Sequence, residues 1–138
     1  MSTLLYALGG AIFVLLGVLH GAYTLADSRH PRRLVPADAE VMAAMRGTGV
    51  RLARGSTITM WQAWVGFNLS HSLGAIVFGA AAAVWSLWPL SAPAALALLP
   101  AGVAALYGAI GWRCWFWIPN TGIAIATLLL AAAALLPK

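Results

Sequence analysis

The sequence predicts an all-α integral membrane protein: a four-helix antiparallel bundle with up-down-up-down topology and both termini outside. Of the 138 residues, 62% are hydrophobic and only 8% are charged. The mean hydropathy is +0.89, and the apolar residues collect in four long runs. So few charges are atypical of a soluble domain. Because lipid offers the backbone no hydrogen-bond partners, we expect each apolar run to be a helix.

A single transmembrane domain, residues 1–138, is expected to contain four spans, at about 4–26, 57–88, 92–112 and 118–136. A helix needs roughly 20 apolar residues to cross the hydrocarbon core, and each run is about that long. Residues 1–3 carry no Lys or Arg, and the first apolar run is longer than the core of a signal peptide. We therefore expect the first span to be retained. Short connections after the second and third spans make neighbouring helices antiparallel.

The distribution of charge predicts the orientation. A basic loop, residues 27–56, holds six of the eight Lys and Arg residues, namely Arg29, Arg32, Arg33, Arg46, Arg51 and Arg54. Arg113 in the third connection falls on the same side, and Lys138 falls on the other. The positive-inside rule then makes the loop cytoplasmic and places the chain in a cell inner membrane. Tryptophans mark the cytoplasmic boundary (Trp61, Trp64, Trp112, Trp115 and Trp117) and the outer one (Trp85 and Trp88).

The basic loop is expected to contain a short interfacial helix over about 37–46. Asp38 and Glu40 are typical of a helix start, and Arg46 followed by Gly47 is typical of an end. Orientation and attraction to anionic lipid headgroups account for the arginines. The net charge of +5 therefore does not require nucleic acid as a partner. With one cysteine, Cys114, the chain forms no intramolecular disulfide.

Residues on the first two spans recur at alternating separations of three and four, which places each set on one helix face. The first-span stripe is Gly10, Phe13, Gly17, His20, Thr24 and Asp27. The second-span stripe is Trp61, Trp64, Asn68, His71, Ala75 and Phe78. An unsatisfied polar side chain is costly in hydrocarbon, so we expect the two stripes to face each other inside the bundle.

These stripes predict a polar pocket in the cytoplasmic half of the membrane. At 1.5 Å per residue, His20 lies roughly 10 Å and His71 roughly 16–20 Å from the cytoplasmic helix ends, and helix tilt can bring them level. The candidate acid–base residues are His71 and His20. The candidate ligand-binding residues are Asn68, Trp64, Trp61, Thr24, Ser72 and Tyr107. The candidates at the pocket mouth are Asp27, Arg113 and Asn120, and no metal site is expected.

Small residues support a purely structural alternative. Gly66, Ser70 and Gly74 repeat every four residues on the second span, and Gly17 and Gly21 do so on the first. Such repeats are typical of closely packed membrane helices, in which Asn and His often serve only as interhelical hydrogen-bond partners. In this interpretation the chain is a structural or assembly subunit of a membrane complex, and the stripes bind another helix.

The pocket supports three functional hypotheses. The first is binding of an amphiphilic molecule, such as a lipid or isoprenoid, with proton transfer by histidine as the reaction that fits best. The second is a b-type haem held by paired histidines, although no cofactor is the main expectation and the depth offset disfavours haem. The third is the structural subunit. A zinc site is disfavoured because His20 and Asp27 are seven residues apart. A homo-oligomer is compatible with each hypothesis.

The stretch "MWQAWVGFNLSHSLG", followed four residues later by "FG", resembles a family of small, uncharacterised bacterial membrane proteins with four predicted helices. The distinctive core of the resemblance is W-x-x-x-G-F-N-x-S-H, of which this sequence carries G-F-N-x-S-H at residues 66–71, preceded by Trp61 and Trp64. The resemblance implies a four-helix membrane protein, gives weight to Trp61 or Trp64, Asn68, Ser70 and His71, and supplies no activity. A looser similarity is to the emopamil-binding-protein and sterol-isomerase group. This chain departs from that group because it lacks membrane-embedded glutamates on the second and third helices.

Overall fold

The computed structural model describes residues 1–51, 57–87 and 94–136, and this part of the chain is all-α. The helices are α1 (Ser2–Arg29), α2 (Ala39–Gly47), α3 (Met60–Val84), α4 (Ala94–Ala97), α5 (Leu99–Cys114) and α6 (Trp117–Leu135). A 3-10 turn, Trp85–Leu87, follows α3. Arg54, Trp88 and Lys138, which contributed to the predicted orientation, lie outside the described residues.

Three helices are long and apolar enough to cross a membrane: α1 with 28 residues, α3 with 25 and α6 with 19. They correspond to the first, second and fourth predicted spans, and each boundary lies within a few residues of its predicted position except the end of the second. The chain is therefore a membrane protein by the length and composition of its helices.

The third predicted span, residues 92–112, is not one continuous helix in the described residues. The short helix α4 ends at Ala97, and α5 begins at Leu99 with Pro100 in its first turn. Proline lacks the backbone N–H that a helix interior needs, so it favours the start of a new helix. With 16 residues, α5 is about 24 Å long, which is shorter than the hydrocarbon core.

The short helix expected in the basic loop is confirmed as α2, Ala39–Gly47, and its location at the membrane interface stays a prediction. Asp38 is its N-cap: one carboxylate oxygen accepts from the backbone N–H of Glu40 at 2.7 Å and of Val41 at 3.4 Å. After α2 the chain returns toward α3 through two backbone hydrogen bonds, from Val50 N to Ile58 O and from Met60 N to Thr48 O, each 2.9 Å.

The chain forms two compact units. The first unit comprises Met1–Gly17 and Gly74–Lys138, and the second comprises Val18–Leu73. The core of the first unit is rich in alanine. It also contains one stripe of α6 at alternating spacing, formed by Ile123, Ala126, Leu130 and Ala133. Phe13 packs edge-on against Phe78 and Tyr107, with ring centroids 4.7 Å and 5.4 Å away.

Two glycines of the first unit bring α1 and α3 into backbone contact. A Cβ added at Gly10 would collide with the backbone of Gly79 and Ala83, and one added at Gly79 would collide with the backbone of Gly10 and Val14. Only glycine allows two membrane helices to approach this closely. This contact determines the spacing of α1 and α3 in the first unit.

The small-residue repeat predicted on α3 is exposed, although a Cβ added at Gly74 would lie 3.6 Å from the Tyr107 hydroxyl oxygen of α5. Gly66, Ser70 and Gly74 are exposed, and a Cβ at Gly66 would meet open space. At 100° per residue they lie on the side of α3 away from Ser72, Ala75 and Gly79, which are buried. On α1 the predicted repeat does pack closely: Gly17 is buried, and a Cβ at Gly21 would lie 3.3 Å from the Cβ of Ser72.

Candidate functional site

Two histidines and an asparagine come together in the second unit; we call His20, Asn68 and His71 the histidine cluster. The His20 Nε2 and the Asn68 Oδ1 are 2.9 Å apart, which is a hydrogen bond between α1 and α3. The ring of His71 stands edge-on to that of His20, with centroids 5.5 Å apart and planes at 83°. Despite the depths estimated from sequence, the two imidazoles are neighbours, and the stripes face each other as predicted.

Asn68 controls which nitrogen of His20 carries a proton. Its amide Nδ2 donates to the Trp64 carbonyl at 2.8 Å, one helical turn earlier. This bond directs the Asn68 oxygen, which can only accept, toward His20. The His20 Nε2 must therefore carry a hydrogen and donate it. In the neutral ring, this arrangement makes Nδ1 the acceptor.

The hydroxyl groups beside the cluster bond to their own helices. The Thr24 hydroxyl donates to the His20 carbonyl, and the Ser72 hydroxyl donates to the Asn68 carbonyl, each at 2.9 Å. Both side chains are buried, Thr24 completely. These bonds satisfy the hydroxyl hydrogens without a ligand, and each oxygen keeps the capacity to accept one.

The predicted tryptophans lie at the start of α3. Trp61 is buried and Trp64 is half-buried, and their rings stack with centroids 5.3 Å apart and planes at 8°. The Arg46 guanidinium lies over the Trp61 ring, 5.8 Å from its centroid. Trp64 is linked to the histidine cluster through the bond from Asn68 to its carbonyl.

Asp27, predicted at the pocket mouth, is buried and binds the backbone of the loop that follows α1. Its Oδ1 accepts from Arg32 N at 3.0 Å, and its Oδ2 accepts from Leu34 N at 2.6 Å. Arg33 N donates to both oxygens, at 3.3 Å and 3.2 Å. Three successive backbone N–H groups thus share one side chain as their acceptor. In the structure Asp27 therefore organises the loop.

The remaining predicted site residues belong to the first unit. Tyr107 packs against the Phe13 ring, and Arg113 is exposed in the last turn of α5. Asn120 Nδ2 donates to the Gly111 carbonyl at 3.1 Å, so Asn120 joins the start of α6 to the end of α5. Its Oδ1 is buried and has no hydrogen-bond partner among the described residues.

A groove of about 750 Å³ runs along α5 and α6, and sequence reasoning missed it. Of the predicted site residues it contains only Asn120; its other lining residues include Gly108, Trp112, Trp117, Thr121 and Thr127. Small and polar residues at helical spacing on both helices were the available signal. Their alignment depends on how α5 packs against α6, which periodicity within one helix does not specify.

Comparison with known proteins finds no match: no family model fits the chain, and no curated protein or solved structure is significantly similar to it. The resemblance of the Trp61–Gly74 stretch to small bacterial membrane proteins stays a prediction.

Proposed function

We propose that this chain is a multi-pass inner-membrane protein that binds the polar head of an amphiphilic, lipid-like small molecule at the histidine cluster. The observation that carries the proposal is the joining of His20, Asn68 and His71 across two helices that are long and apolar enough to cross a membrane. Polar side chains are rare and costly in such segments and are commonly functional.

The hydrogen-bonding capacity of the cluster supports ligand binding over a purely structural role. Asn68 has two amide hydrogens and an oxygen with two lone pairs, and the described bonds use one of each. The Nδ1 of neutral His20 is a further acceptor. A head group that both donates and accepts, such as a hydroxyl, would complement these atoms, and the surrounding apolar helices would suit its hydrocarbon body.

The proposed topology is a four-span antiparallel bundle with both termini outside and the loop after α1 in the cytoplasm. It rests on the excess of arginine in that loop and on the short connection between α5 and α6. For this topology α4 and α5 together form the remaining span, although Pro100 interrupts it.

Proton transfer is the reaction we propose for the bound molecule if the protein is a catalyst. One neutral imidazole would take a proton from the molecule, and a protonated imidazole would return one at a second position. Histidine suits both roles near neutral pH. The 5.5 Å between the His20 and His71 rings would allow both to reach one small head group.

Native mass spectrometry of the full chain, extracted under mild conditions, tests the binding proposal. We expect a retained small molecule in the wild type and at least about tenfold less of it in His71→Leu and in Asn68→Leu, since each variant removes a polar partner. His71→Leu is the cleaner variant because it leaves the bond between His20 and Asn68 intact. Ser70→Ala, an exposed position next to His71, is the matched control and should retain the molecule.

Other outcomes favour the alternatives. If His20→Leu and His71→Leu leave both the retained molecule and the thermal stability in detergent unchanged, the binding proposal is wrong and the structural-subunit hypothesis gains. A Soret band in the purified protein, lost in both variants, would favour haem held by paired histidines.

A further inference from the structure

Two arginines of the second unit are held over aromatic rings at the membrane boundary predicted from the tryptophans. The Arg33 guanidinium lies 4.8 Å from the centroid of the Tyr23 ring, and that of Arg46 lies 5.8 Å from the Trp61 ring. Both distances are typical of cation–π contacts. The Trp61 ring is itself held by stacking on Trp64. The two guanidinium groups are therefore restrained, and their edge N–H groups remain suited to binding an anion.

The carboxylates of the same segment offset only part of its positive charge. Residues 27–56 contain six arginines and three acidic residues, which leaves a net charge of +3. Asp27 accepts hydrogen bonds from the backbone of Arg32, Arg33 and Leu34, and Asp38 caps α2. Arg33 and Arg46 are both exposed. The segment thus presents positive charge to an external anionic partner.

Helix α2 belongs to the same segment and has exposed apolar side chains. None of its residues is buried, and Val41 is 49% exposed. Met42 and Met45 are half-buried and Arg46 is exposed, so the helix carries apolar and basic side chains together. Exposed apolar side chains beside a basic one favour the boundary between headgroups and acyl chains, and the arginines of the segment add attraction to anionic lipid.

We propose that the arginine–aromatic pairs Arg33–Tyr23 and Arg46–Trp61 are binding sites for the phosphate headgroups of anionic phospholipids. Each restrained guanidinium would donate two N–H groups to the phosphate oxygens, a geometry that lysine cannot reproduce. The positive charge of the segment and the exposed apolar side chains of α2 complement an anionic membrane surface. This inference does not depend on the histidine cluster.

Spin-label electron paramagnetic resonance on the full chain in phosphatidylcholine bilayers tests the inference. The measured quantity is the association of spin-labelled phosphatidylglycerol relative to spin-labelled phosphatidylcholine. We expect a clear preference for phosphatidylglycerol in the wild type and a loss of at least about tenfold in Arg33→Gln or Arg46→Gln, as for lost hydrogen bonds to a charged group. Tyr23→Leu, which keeps the charge and removes the ring, should also lower the preference.

Arg51→Gln is the matched control, because it removes the same charge from an exposed position in the same loop. We expect it to lower the preference by at most about fivefold, the value for diffuse attraction of one arginine to an anionic surface, in contrast to the loss of at least about tenfold for the paired arginines. An equal loss in all three arginine variants would mean diffuse attraction and would overturn the inference, as would no preference in the wild type.

The variants Arg33→Lys and Arg46→Lys separate lost binding from lost structure, and circular dichroism verifies that they fold. A reduced preference for phosphatidylglycerol in the folded lysine variants supports the inference, and an undiminished preference overturns it.

Discussion

At the residue scale, Asp27 illustrates how a buried carboxylate can organise a loop. It is 1% exposed and accepts from three successive backbone N–H groups, those of Arg32, Arg33 and Leu34. These bonds join the end of α1 to the loop that carries the paired Arg33. The stripe spacing predicted that Asp27 faces inward, which is confirmed by its burial. The sequence could not reveal its partners, because they are backbone groups placed by an irregular segment without periodicity.

Asp27→Ala should lower the free energy of unfolding by about 1–3 kcal/mol, since the substitution leaves loop N–H groups without their acceptor. Asp27→Asn should be milder, because its amide keeps one accepting oxygen. The measurement is equilibrium unfolding in mixed detergent micelles. Glu40→Gln is the control, because Glu40 is exposed, and should change stability by at most about 0.5 kcal/mol. Equal stability of Asp27→Ala and the wild type would contradict the role we assign to these bonds.

At the scale of the helices, the sequence predicts well where long helices form and which face of α1 is buried. It predicts breaks within an apolar run poorly. Most bounds of α1, α2, α3 and α6 lie within a few residues of the prediction, because long apolar runs and capping residues are local signals. The inward stripe of α1 is confirmed from Gly10 to Asp27. The third predicted span is interrupted between Ala97 and Leu99, next to Pro100 in the first turn of α5. The repeat of Gly66, Ser70 and Gly74 is exposed, because helical spacing alone does not identify the contacting face.

The backbone contact between α1 and α3 gives a prediction at this scale. Gly79→Ala should lower the free energy of unfolding by about 1–3 kcal/mol, because the added methyl group collides with the Gly10 backbone and the helices must move apart. Gly66→Ala, on the same helix but beside open space, should cost nothing and can stabilise by up to about 1 kcal/mol. Thermal unfolding of both variants in the same detergent measures the difference in stability. An equal change in stability for Gly79→Ala and Gly66→Ala would argue against close packing at Gly79.

At the scale of the whole molecule, composition is sufficient to predict an all-α membrane protein. It is insufficient to predict which polar residues share a site. His20, Asn68 and His71 come together because two matched stripes pack face to face. Tyr107, Arg113 and Asn120, which belong to the first unit, were assigned to the same pocket by depth, and that assignment stays a prediction. The position of a residue along an apolar run is a local property of the sequence, whereas the lateral arrangement of helices is a property of tertiary packing.

The proposed topology can be tested with the single cysteine. Cys114 is free and exposed in the last turn of α5, on the side we assign to the cytoplasm. A membrane-impermeant maleimide should label it in inverted membrane vesicles and leave it unlabelled in intact cells. A Thr3→Cys, Cys114→Ser variant, with its thiol at an exposed position near the start of α1, should show the reverse pattern. Labelling of both thiols from the same side would refute the arrangement.

The hydrogen bond that Asn68 makes to His20 also bears on proton conduction. In a chain of side chains that conducts protons, each group must accept a proton at one atom and release it from another. The Nε2 of His20 is already hydrogen-bonded to the Asn68 oxygen. To pass a proton onward, the ring would have to break that bond and turn. Exchange through Nδ1 alone returns the proton to the side from which it came. His20 in this arrangement is therefore better suited to exchanging a proton with a small molecule that binds and leaves than to conducting protons through the bilayer.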